Sequence, residues 1–106
     1  MIVVRSRSGA AIRLTEERWA HIERGHPEMK EQRDKVLETM SDPDMIQEGD
    51  DGVLLAVRLY PTTPLTRKYL VAPYREIAPD DGFIVTAYLT RRPSVERRVI
   101  WKRSES

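Results

Sequence analysis

The chain has 106 residues, enough for one domain with one core and too few for a second independent unit. Hydrophobic residues make up 40% and charged residues 33%, which fits a folded, well-solvated globule better than a disordered chain, and no apolar run is long enough to cross a bilayer. Cysteine is absent, so disulfides, thiolate nucleophiles and Cys-ligated zinc are excluded.

The first residues, Met1-Ile2-Val3-Val4-Arg5, lack the apolar stretch and cleavage site of a signal peptide, and a cytoplasmic location is expected. Ile2-Val3-Val4 reads as a first strand, and Ala10 to Leu14 extend it or pair back on it after Gly9. Thr15 is a strong helix start, because its hydroxyl can accept from an unpaired backbone N–H. Glu16 and Glu17 suit the positive end of the helix dipole. Leu14 and Trp19 have the spacing of a hydrophobic staple, Trp19 and Ile22 share a core stripe, and Gly25 supplies the stop. Pro27 fits the first turn of a second helix running through Met29, Val36, Leu37 and Met40, with Glu31 and Lys35 spaced as an i,i+4 pair. Ser41-Asp42-Pro43-Asp44 ends that helix.

The remainder alternates like strands. Met45–Glu48 and Val53–Tyr60 flank the turn Gly49-Asp50-Asp51-Gly52. Lys68–Arg75 follows the loop Pro61-Thr62-Thr63-Pro64, and Phe83–Thr90 follows a turn from Ala78 to Gly82. Arg97–Trp101 forms a last edge strand or a packed tail. The expected architecture is α+β, one domain over residues 1–106, with two N-terminal helices packed on a four- to five-stranded antiparallel sheet.

Charge is unevenly spread. From Glu28 to Asp51 there are nine acidic residues against three basic ones, whereas the basic C-terminal segment from about Arg91 to Arg103 has six basic residues against Glu96. Such asymmetry suits either a polyanion-binding surface or a solvated tail.

Period-two alternation puts Phe83, Val85, Ala87 and Leu89 on one face, toward the core, and Ile84, Thr86, Tyr88 and Thr90 on the other. Two hydroxyls and a phenol in a row can contact phosphate or ribose, or simply solvate a strand. Arg58, Lys68, Tyr74 and Arg75 come from neighbouring strands, and a cation beside Thr and Tyr makes an anion site. The two histidines, His21 and His26, lie in one helix and its elbow. An imidazole is the natural proton-transfer group near neutral pH. Their five-residue spacing is unlike the i,i+4 pairing of a zinc site, and Asp42, Asp44, Asp50 and Asp51 lack EF-hand spacing, so no metal or cofactor is expected. His26 can instead cap the second helix, and His21 lies off the Trp19–Ile22 stripe, exposed or overhanging a cleft.

Arg18-Trp19-Ala20-His21-Ile22-Glu23-Arg24-Gly25-His26-Pro27-Glu28, then Asp42-Pro43-Asp44, Lys68-Tyr69-Leu70-Val71 and Gly82-Phe83-Ile84-Val85-Thr86-Ala87-Tyr88 follow a recurring order. In this order the chain resembles the small phage- and mobile-element-associated nucleases of the barnase, EndoU, colicin and RelE-like ribonuclease fold, over roughly residues 14 to 91. The resemblance implies a metal-independent endoribonuclease in which a base deprotonates a ribose 2′-hydroxyl that attacks the adjacent phosphate. It implies His21 or His26 as the proton-transfer group, Arg75 stabilising the phosphate, and Thr86, Tyr88 and Thr90 positioning it. Glu28 is a candidate to orient an imidazole. Arg58, Lys68, Arg91 and Arg92 are expected to bind the nucleic acid. The implied partners are RNA and, for a toxin, a cognate antitoxin or immunity protein. Two other readings compete: a nucleic-acid-binding module without chemistry, and a protein-interaction domain that docks a partner on a sheet edge.

Overall fold

Thr15 opens the first helix, as its residue type dictates. In the computed structural model, which describes residues 1–104, its hydroxyl accepts from the Arg18 N–H at 3.0 Å, and Glu16 and Glu17 occupy the first turn of α1 (Glu16–Gly25). Beyond His26 the expected second helix divides. Pro27–Met29 make a single 3-10 turn, Glu31 takes a φ of 65°, and α2 runs from Arg33 to Ser41. The two pieces serve different partners: the 3-10 turn packs on the strand Tyr88–Thr90, and α2 packs on several other strands. Met29, Val36 and Met40 keep helical spacing and are all buried, so periodicity does not reveal the break. Glu31 of the expected Glu31–Lys35 pair falls before α2, and Lys35 Nζ donates instead to Gln32 Oε1 at 2.7 Å.

The sheet is larger than expected and mixed. Its strands are β1 (Ile2–Arg5), β2 (Ala11–Leu14), β3 (Met45–Glu48), β4 (Leu54–Tyr60), β5 (Lys68–Ala78), β6 (Asp81–Ile84), β7 (Tyr88–Thr90) and β8 (Val99–Lys102). They run in the order β1-β2-β6-β5-β4-β3-β8, with β7 paired to β5 beyond β6. All pairs are antiparallel except β2–β6, because the chain leaves β2 for the helices and the β3–β5 meander before β6 returns beside it. The helices are therefore preceded by a hairpin. The sheet curls around α2, which touches both β1 and β4. The curl brings Arg7, in the β1–β2 turn, over the ring of Trp101 in β8, 4.7 Å from its centroid.

Each sheet face has its own apolar cluster. The helix-covered face buries Ile12, Leu14, Leu70, Tyr74 and Ile84 against Trp19, Ile22, Met29, Val36 and Met40. The outer face carries Leu55, Val57 and Val71, packed by Met45, Tyr69 and Tyr88. The expected facing is corrected for Phe83 and Ile84, whereas Ala87 and Leu89 lie on the core face as expected and Tyr88 on the other. Tyr74 pairs with Ile84 but Val71 pairs with Tyr88, so one extra residue enters between β6 and β7. This bulge reverses the alternation: Ile84 and Ala87 are buried on the helix side, whereas Phe83 is only half-buried.

Candidate active site

β7 pairs only with β5, and the 3-10 turn reaches its far side. The elbow at the end of α1 thereby carries His26 to Tyr88, with ring centroids 5.8 Å apart and planes tilted by 33°. No side-chain hydrogen bond from His26 caps the turn, so the imidazole is not spent on local structure. Glu28 Oε2 lies 3.7 Å from His26 Nδ1, and both side chains are partly exposed. At that separation the two groups are close but not hydrogen-bonded.

A strap formed by residues 91–98 brings a cation to the same region. After β7 the chain crosses the outer face to reach β8 beyond β3. The buried Gln47 side chain donates from Nε2 to the Ser94 carbonyl at 2.8 Å, and Arg98 pairs with Glu48 at 3.1 Å. Both terminal nitrogens of Arg97 meet the Asp50 carboxylate at 3.3 Å. The Asp50 hydrogen bond and charge hold the Arg97 guanidinium above its ordinary pKa, and Tyr88 adds to that effect. The phenol thus has the His26 imidazole against its ring and the Arg97 guanidinium within electrostatic reach.

The other expected site residues are dispersed. His21 is exposed on α1, in a shallow groove lined by Thr15, Glu17, Arg18 and Arg24, which His26 does not line. Arg75 shares the outer face with Val71 but stands four residues further along β5, about 13 Å at strand rise. Its Nη1 donates to the Asp51 carbonyl at 2.6 Å, tying β5 to the β3–β4 turn. Thr86 is half-buried within the bulge. The Thr90 hydroxyl donates to the Arg92 carbonyl at 3.1 Å and closes the turn after β7. Arg58 and Lys68 alternate onto the helix-covered face with Tyr60 and Leu70. Arg58 is held there by Asp42 at 3.1 Å and Glu38 at 3.5 Å. Arg91 and Arg92 are exposed and line an open concavity of about 810 Å3 along the strap.

The acidic and basic stretches largely satisfy each other. Arg97 pairs with Asp50, Arg98 with Glu48, and Arg103 with Asp42 and Asp44. Among the described residues Arg91, Arg92 and Lys102 enter no ion pair, so these are the cations of the segment left for a ligand. No three His, Asp or Glu side chains among the described residues gather as metal ligands. Arg97 is the residue that sequence reasoning did not single out; its only signal was membership of the basic run.

No protein family, curated protein or solved structure gives a match to this chain.

Proposed function

We propose that the chain is an endoribonuclease that cleaves RNA by attack of a ribose 2′-hydroxyl on the neighbouring phosphate, with His26 at the centre of its active site. The observation that carries this reading is the His26 imidazole, with Glu28 near Nδ1 and the Tyr88 ring against it, on a partly exposed sheet edge. The resemblance to barnase-, EndoU-, colicin- and RelE-like nucleases points the same way.

The chemistry balances with protein groups alone. His26 removes the 2′-hydroxyl proton, the O2′–P bond forms, and the P–O5′ bond breaks. The Tyr88 phenol gives its proton to the departing 5′-oxygen and recovers one from the imidazolium through solvent. Glu28 stabilises the imidazolium, and Arg97 offsets charge on the phosphoryl oxygens. The Arg97–Asp50 pair is exposed and screened by solvent, so a phosphate can displace the carboxylate. A toxin of this kind acts in the cytoplasm under the control of a cognate antitoxin or immunity protein.

The test is incubation of purified protein with mixed RNA in EDTA. Fragments ending in 2′,3′-cyclic phosphate and 5′-hydroxyl are expected. Intact RNA across a pH series overturns the reading, and salt-sensitive retention of that RNA would identify a binding module instead.

A further inference from the structure

The outer face holds a second feature that the cleavage chemistry does not use. Between the sheet and the strap lies a groove of about 450 Å3. Met45, Val57 and Leu59 supply an apolar floor, Tyr69 an aromatic side, Pro93 a wall from the strap, and Lys102 a cation at the rim. Two more charged residues border it but are already engaged. Asp44 Oδ2 accepts from the Leu59 N–H at 2.7 Å, and Arg103 binds Asp42 and Asp44. The rim charge presented to a ligand is thus chiefly that of Lys102, an exposed residue.

We infer that this groove is a base-binding subsite for single-stranded nucleic acid, in which one unpaired base stacks on Tyr69 beneath Pro93 while Lys102 meets a flanking phosphate. The inference rests on the proposed function for its direction along the chain. Three observations select this occupant. An aromatic ring beside a cation at the mouth of an apolar groove is the pairing that holds unpaired bases and their backbone. The volume lies in the range of small-ligand pockets, so a single nucleobase fits and a duplex does not. The groove also neighbours Tyr88: Tyr69 pairs with Thr90 and Val71 with Tyr88 on adjacent strands, and both tyrosines pack on the same outer cluster. A strand seated on Tyr69 would therefore lead its neighbouring phosphate toward Tyr88.

Binding of a short oligothymidylate, which has no 2′-hydroxyl and is not a substrate for the proposed cleavage, tests the subsite apart from catalysis. The full chain is expected to bind it, and a blunt duplex of the same length is expected not to compete. Tyr69→Phe keeps the affinity; Tyr69→Ala loses roughly tenfold, the order for one base–aromatic stack. Lys102→Ala weakens binding and flattens its salt dependence. Because Tyr69 packs on the outer cluster, its truncation can perturb folding, so methyl NMR of the wild type supplies a second readout. Shifts at Met45, Val57 and Leu59 on adding the oligonucleotide are expected. Absence of those shifts, or a folded Tyr69→Ala variant that binds like wild type, overturns the inference. The two readings fail separately. Binding without RNA cleavage removes the nuclease and keeps the subsite, whereas cleavage with no oligonucleotide in the groove does the reverse.

Discussion

His26 differs from His21 in what surrounds it rather than in its chemistry. Imidazole is the side chain generally suited to proton transfer near neutral pH, and the two histidines share that chemistry. Only His26 has an aromatic ring at 5.8 Å and a carboxylate oxygen at 3.7 Å, because it sits where helix geometry ends. That difference was partly legible: Gly25-His26-Pro27 announces an elbow, but the strand that the elbow meets is set by tertiary packing. Tyr88 could be picked from the sequence as a candidate, but its separation from Arg75 along β5 could not. On the proposed chemistry, Tyr88→Phe keeps the ring against His26 and removes the proton donor. Its expected effect is a loss of roughly 100-fold in RNA cleavage rate with an unchanged thermal midpoint. Asp42 carries a different prediction. The Arg103 hydrogen bond, with Arg58 adding charge, holds its carboxyl below the usual carboxylate value. A lowered folded pKa stabilises the native state above the unfolded pKa of about 4, and that contribution disappears as pH falls through the folded value. The stability gap between wild type and Asp42→Asn in urea is therefore expected to be widest near neutral pH and to close in acid. It should be modest throughout, because the pair is more than a third exposed and screened by solvent.

At the scale of elements, the hairpins and α1 follow from local residue choice, and the departures arise where tertiary contacts overrule it. The bulge between β6 and β7 is one such place. Nothing in Phe83–Thr90 marks the extra residue, since valine, threonine and alanine all sit comfortably in a regular strand, yet it decides that Ile84 rather than Phe83 enters the core. Gly82 is another. The sequence places it in a turn, whereas it lies inside β6 between β2 and β5. A Cβ there would stand 2.1 Å from the Arg75 carbonyl oxygen and 2.8 Å from Ile12 Cδ1. Gly82→Ala must push two backbones apart, and a loss of about 1–3 kcal/mol is expected from denaturant unfolding. Gly25→Ala, where a Cβ meets nothing within 4 Å, is the matched control and should stay within about 1 kcal/mol of wild type.

Across the whole molecule, the charge asymmetry visible in the sequence has become internal complementarity. The basic strap and β8 lie against the acidic turns, and composition could not distinguish that from an open basic surface. The α+β class was legible from the order of patterns. The curled eight-stranded sheet was not, because the parallel β2–β6 pairing joins segments about 70 residues apart that carry no shared signal. Curling leaves Tyr60 and Tyr74 on the enclosed face, where burial pushes both phenols well above their ordinary pKa. The unfolded chain releases those protons near pH 10 and the native state retains them, so stability falls as pH rises through that region. Ultraviolet titration of tyrosinate should therefore show two phenols that ionise only together with loss of circular dichroism. Smooth ionisation of all four tyrosines in a folded protein would contradict this packing.

The most direct measurement compares RNA cleavage in EDTA by wild type, His26→Ala and His21→Ala, each shown to be folded. The account predicts a loss of at least about 100-fold for His26→Ala and a rate within a few-fold of wild type for His21→Ala. Full activity in His26→Ala, or its loss in His21→Ala alone, would contradict the assignment of the site to the edge of β7.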